Sequence, residues 1–165
     1  MSRQGVRRLA IVGFGLFLLS GSIHLLLGLG SLANPQILGV ETLVLPMSFI
    51  MAGLAVFVVA GVYKADMLPN RTTYVLASFL MAIYVVAYID WHVFQFVASI
   101  EPFEAVGLEH DHSHGHDSHH EHEDESSAGM IFIDHLRDDF IALVTKTAEG
   151  IAAVILAILA VLERD

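Results

Sequence analysis

Four apolar segments constrain this chain more than any other feature, running from about Leu9 to Leu29, Leu43 to Val62, Tyr74 to Val97 and Phe140 to Leu162. At ~1.5 Å of rise per helical residue, about 20 apolar residues cross the hydrocarbon core of a bilayer, and each segment has that length. A backbone in hydrocarbon must satisfy its own N–H and C=O groups, so such segments are read as helices. The chain has 165 residues, 55% of them hydrophobic and 16% charged, which leaves no room for a large soluble domain beside four spans. The expected fold is all-α: one integral membrane four-helix bundle over residues 1–165, with a disordered external loop at 98–128 between the third and fourth helices.

Punctuation between the segments agrees with this division. Gly30, Asn34 and Pro35 break the first connection, and Met67-Leu-Pro-Asn70 breaks the second. Pro46 is placed at the start of the second span, where its missing N–H costs little. Basic residues give an orientation, because cytoplasmic ends and loops retain Lys and Arg. Arg3, Arg7, Arg8, Lys64, Arg71 and Arg164 all fall on one side of a four-span chain, while Thr72 to Leu136 contains no basic residue. Both termini are therefore expected inside a cell membrane and the third connection outside. Met1 to Arg8 followed by an apolar run and Ser20-Gly-Ser22 has the outline of a signal peptide, but the run continues to Leu29, and an uncleaved first span is the expectation. The chain has no cysteine, which excludes disulfides and thiolate metal sites. Two Lys and six Arg beside abundant acid give a composition that resembles haloarchaeal proteins in style, without pointing to a family.

The net charge of −10 has a location: Glu101 to Glu125 holds nine of the eighteen acids and no basic residue. Within it the tract HDHSHGHDSHHEH places His110, His112, His114, His116, His119, His120 and His122, seven of the ten histidines, in thirteen residues. Neutral imidazole is a ligand for Zn, Ni, Co or Cu, and the interleaved carboxylates lower the local potential for cations. The tract carries almost no apolar surface to offset its ordering entropy, so it is expected to be disordered until metal arrives and to offer overlapping sites of moderate affinity. It resembles the histidine-rich loops of cation diffusion facilitators and ZIP-type zinc transporters. That likeness is confined to these thirteen residues, since those families have more spans and motifs absent here. The same residues also fit a solvated acidic linker with no ligand, or a pH sensor that loses its negative charge as the outside acidifies.

Ionisable residues inside a span mark a functional site by default, because they are costly in hydrocarbon. Counted from the inner boundary, His24, Asp90, His92, Lys146 and Glu149 lie at similar depths, about 16 to 27 Å. On the fourth helix His135, Asp139, Ala142, Lys146, Glu149, Ala153 and Ala157 form one stripe, with Leu159 and three isoleucines turned away. His135 and Asp139 have the i, i+4 spacing to share a cation at the external mouth, and Lys146 and Glu149 the i, i+3 spacing of an ion pair. On the third helix Met81, Tyr84, Tyr88, His92 and Gln95 share a face, with Asp90 pointing away. On the first, Gly13, Ser20, Gly21, His24 and Gly28 make a small-residue face that permits close packing.

The leading functional expectation is a small polytopic protein that binds divalent transition-metal ions outside and passes them to, or senses them for, the inner polar site. Metal uptake, efflux, buffering and sensing all remain open. Four spans are few for an autonomous transporter and no inverted repeat is visible, so a homo-oligomer or a partner membrane subunit is expected, alongside lipid. The alternatives are a redox subunit in which His24 and His92 ligate haem b, and an accessory subunit with no site of its own. There is no phosphate-binding glycine loop, serine nucleophile elbow or zinc-protease motif, and the acidic outer surface excludes nucleic acid.

Overall fold

The computed structural model describes residues 2–33, 40–91 and 140–163. These form four helices, α1 (Arg3–Leu32), α2 (Val40–Lys64), α3 (Asn70–Ile89) and α4 (Phe140–Leu162), each long and apolar enough to cross a membrane. There is no strand among the described residues. The expected loop at 98–128, with all seven histidines of the tract, lies outside them, as do His92, Gln95, His135 and Asp139.

The helices outrun the apolar segments at three of their four starts. Intrahelical hydrogen bonding continues into polar flanks until a cap intervenes. Ser2 is the N-cap of α1 and accepts from the Gly5 N–H at 3.2 Å, so the helix begins six residues before Leu9 and takes in Arg7 and Arg8. α2 begins at Val40, which puts Pro46 inside the helix and not at its start. The missing N–H of Pro46 withdraws one helical donor, from the Thr42 carbonyl, a loss that membrane helices tolerate; in the next turn Ser48 Oγ donates to a different carbonyl, that of Leu45, at 2.7 Å. α2 ends in a Schellman arrangement: the Met67 N–H returns to the Val62 carbonyl and the Asp66 N–H to the Tyr63 carbonyl, each at 3.2 Å. Asp66 takes the left-handed position, with φ 53°, that glycine most often fills.

Neighbouring helices run antiparallel. α1 lies between α2 and α4, α3 packs on the other side of α4, and a lighter α2–α3 contact closes the bundle. The α1–α2 seam is close enough to require glycine. A Cβ on Gly53 would stand 2.8 Å from the Gly21 carbonyl oxygen, and one on Gly28 would stand 2.7 Å from the Pro46 carbonyl oxygen. The expected small-residue face of α1 is buried at Gly13, Ser20, Gly21, His24 and Gly28, with Phe17 added.

The inward face of α4 differs from the expected stripe. Thr145, Ala148, Glu149, Ala152, Leu156, Leu159 and Ala160 are buried, while Ala157 is exposed. Both runs pass through Glu149. Steps of four lead on to Ala153 and Ala157, whereas alternating steps of three and four lead to Ala152, Leu156 and Leu159 and follow the 3.6-residue turn. The second run puts two leucines into the same core as Phe17 and Met81. Outside that core, Leu26, Met51, Phe79 and Val154 project outward, each at least 60% exposed, the apolar exterior that a bilayer would cover.

Two layers hold the bundle together. Towards the Arg-bearing end, Phe14 stacks on Tyr63 at 4.3 Å between ring centres and the Tyr63 and Tyr74 hydroxyls meet at 3.3 Å. Towards the opposite end, the interior turns polar.

Candidate functional site

The polar layer is assembled from three helices around the carboxylate of Glu149, which is fully buried. On α1, Ser20 and His24 share the inner face one turn apart, at i, i+4 spacing. Glu149 lies about 13 Å from the start of α4 and His24 about 12 Å from the end of α1, and because the two helices are antiparallel those depths coincide.

Each carboxylate oxygen has its own partner. Oε2 accepts from Lys146 Nζ at 2.7 Å, one turn back on α4, and Oε1 accepts from Ser20 Oγ at 2.8 Å. His24 Nε2 stands 3.7 Å from the same Oε1. The imidazole is held from behind, with Nδ1 3.0 Å from the Ser20 carbonyl oxygen and 3.5 Å from Ser20 Oγ. Phe49 of α2 and Tyr84 of α3 flank the ring, at 5.7 and 5.0 Å between centres. Lys146 Nζ reaches the Tyr84 carbonyl of α3 at 3.4 Å and lies 5.2 Å from the centre of the Tyr88 ring. Tyr84 in turn donates its hydroxyl hydrogen to the Ala52 carbonyl of α2. A chain of polar contacts thus links α1 to α4, α4 to α3 and α3 to α2. No buried side-chain N or O among the described residues lacks a hydrogen-bond partner, which is the condition under which a polar interior is tolerated.

Of the expected inner residues, the structure brings together His24, Lys146 and Glu149. Asp90 is half-buried at the C-terminal end of α3, about 9 Å along the axis from Tyr84. The expected haem pairing cannot be examined through His92, which is outside the described residues; His24 itself turns Nε2 toward a carboxylate and packs between two aromatic rings. Among the described residues no three His, Asp or Glu side chains converge as a metal-holding group. His24 and Glu149 supply two donors, and the Lys146 ammonium already occupies one carboxylate oxygen.

Sequence reasoning placed Ser20 on the correct face but gave it no role. Its i, i+4 relation to His24 was the available signal, since a hydroxyl one turn from an imidazole on a buried face can serve both the ring and a residue across the interface. Phe49 and the backbone carbonyls of Tyr84 and Ala52 carry no such signal. Comparison with protein-family models, curated proteins and solved structures finds no match for this chain.

Proposed function

We propose that this protein is a multi-pass membrane protein that captures divalent transition-metal ions on an external histidine-rich arm. The observation that carries the reading is the density of the tract: seven of ten histidines between His110 and His122, interleaved with carboxylates and free of basic residues. Imidazoles at this spacing bind Zn²⁺, Ni²⁺, Co²⁺ or Cu²⁺, and the surrounding negative charge concentrates cations near the arm. His135 and Asp139 stand where the chain re-enters the fourth helix and extend the ligand set to its mouth. The buried cluster supports assigning metal capture to the arm, because its carboxylate is already shared between an ammonium and a hydroxyl. Both termini face the cytoplasm in this reading. Four spans acting in uptake, efflux, buffering or sensing call for a second copy or a partner membrane subunit.

Titration calorimetry of the full chain in lipid nanodiscs with Zn²⁺ and with Ni²⁺ tests the proposal. Binding tighter than about 100 µM (about −5.5 kcal/mol) is expected, and its loss when the seven tract histidines are replaced by Asn. The absence of heat in that range, or equal binding by the replaced chain, overturns it.

A further inference from the structure

We propose that the gap between His24 Nε2 and Glu149 Oε1 is a proton-binding site inside the membrane-spanning bundle, one that adds a second bond between α1 and α4 when filled. The inference does not rest on metal capture by the external arm and stands or falls separately.

The hydrogen positions around His24 follow from what its neighbours can do. The Ser20 carbonyl oxygen, 3.0 Å from Nδ1, can only accept. Ser20 Oγ gives its hydrogen to Glu149 Oε1 at 2.8 Å, so towards Nδ1 at 3.5 Å it too is an acceptor. Both neighbours require the hydrogen on Nδ1. A neutral ring then carries its lone pair on Nε2, and that lone pair faces Oε1 at 3.7 Å. Two acceptors thus face each other at a separation too long for a hydrogen bond.

One proton resolves the confrontation. Arriving from water and settling on Nε2, or shared with Oε1, it forms an Nε2–H···Oε1 bond. The N–H bond forms as one O–H bond of hydronium breaks and water departs, no bond within the cluster breaks, and the summed charge of His24, Lys146 and Glu149 rises from zero to +1. A charge-assisted bond of this kind has an N···O distance of about 2.8 Å, so the imidazole and the carboxylate approach by roughly 1 Å, by side-chain adjustment, while Ser20 Oγ keeps the helix spacing through its own bond to Oε1. Among the described residues, the remaining groups facing the ring leave the role to this pair. α2 contributes Phe49, which does not titrate. α3 contributes Tyr84, whose hydroxyl is engaged with the Ala52 carbonyl, and Tyr88 beneath Lys146. α4 contributes Lys146, which occupies Oε2 and leaves Oε1 as the oxygen facing the ring.

The test is ¹⁵N NMR of histidine-labelled full-length protein in lipid nanodiscs, from about pH 4 to about pH 9, a window around the ordinary imidazole value near 6.5. The His24 signals are those absent from His24→Gln. The expected result is the Nδ1–H neutral form at high pH, converting to the doubly protonated ring on acidification. In Glu149→Gln the same conversion should need at least about ten-fold more acid, because the anion that holds the proton is gone. The charge-free double variant Lys146→Met with Glu149→Gln should also need more acid than the native chain, but less than Glu149→Gln alone because the opposing ammonium is gone as well, and it guards against misfolding caused by an unbalanced lysine. A ring that keeps one protonation state throughout, an Nε2–H form at high pH, or an unchanged midpoint in both Glu149 variants would overturn the proposal. The wild-type titration decides the matter even where a variant fails to fold.

Discussion

Removing the Glu149 carboxylate alone strands the Lys146 ammonium in a site where its side chain is only 12% exposed. Breaking one partner of a buried ion pair costs about 3–5 kcal/mol, whereas replacing both with apolar groups of similar volume is often neutral or stabilising. Glu149→Leu is therefore expected to lower the thermal denaturation midpoint in detergent sharply, and Lys146→Met with Glu149→Leu to recover most or all of it. A double variant as unstable as the single one would show that the pair itself stabilises the bundle. Recovery would mean that the charges are retained for what they do, which is the outcome a proton site requires. Ser20→Ala belongs to the same cluster: it removes the donor to Oε1 and leaves a buried acceptor under-satisfied, at about 1–3 kcal/mol. Thermal scans of the two sets side by side separate the hydroxyl's contribution from that of the ion pair.

Helix by helix, hydropathy located the spans, because the apolar length of a membrane helix is imposed by the bilayer and not by its partners. The start of α1 was invisible to hydropathy because a Ser2 cap and flanking arginines, all polar, extend the helix. The rotation of α4 was misread for another reason. Ala153 and Ala157 continue the line of Lys146 and Glu149 by size and spacing, but packing density favours the face carrying Leu156 and Leu159. The α1 face was legible because three of its residues are glycines, and glycine in a membrane helix usually marks a backbone contact. The Lys146–Glu149 pair was legible from spacing within one helix, while the link from Ser20 to Glu149 across 129 residues depends on how the helices register. Gly53→Val tests the seam: its Cβ would meet Leu25 as well as the Gly21 carbonyl, and the expected loss is about 1–3 kcal/mol. Gly61→Ala is the control, since nothing lies within 4 Å of a Cβ there, and it should be neutral or stabilise by up to ~1 kcal/mol. Equal effects at the two positions, read from denaturation midpoints, would contradict a close α1–α2 contact.

Across the whole molecule, charge is distributed by end. Arg3, Arg7, Arg8, Lys64 and Arg71 gather where α1 and α3 begin and α2 stops, while Glu149 and His24 sit towards the other end of the bundle. The proposed orientation puts the basic end inside, on the ground that cytoplasmic ends retain Lys and Arg, and with it the histidine tract outside, within reach of metal ions in the medium. The absence of native cysteine makes this directly measurable, since any introduced thiol is the sole target of a maleimide. Ser118→Cys, within the tract, should react with a membrane-impermeant maleimide on intact cells, and Ser2→Cys only after the membrane is opened. Reversed labelling would place the tract in the cytoplasm. Metal capture from outside would then be untenable, while the proton site between His24 and Glu149 would be unaffected, because its geometry is internal to the bundle and independent of which end faces the cell.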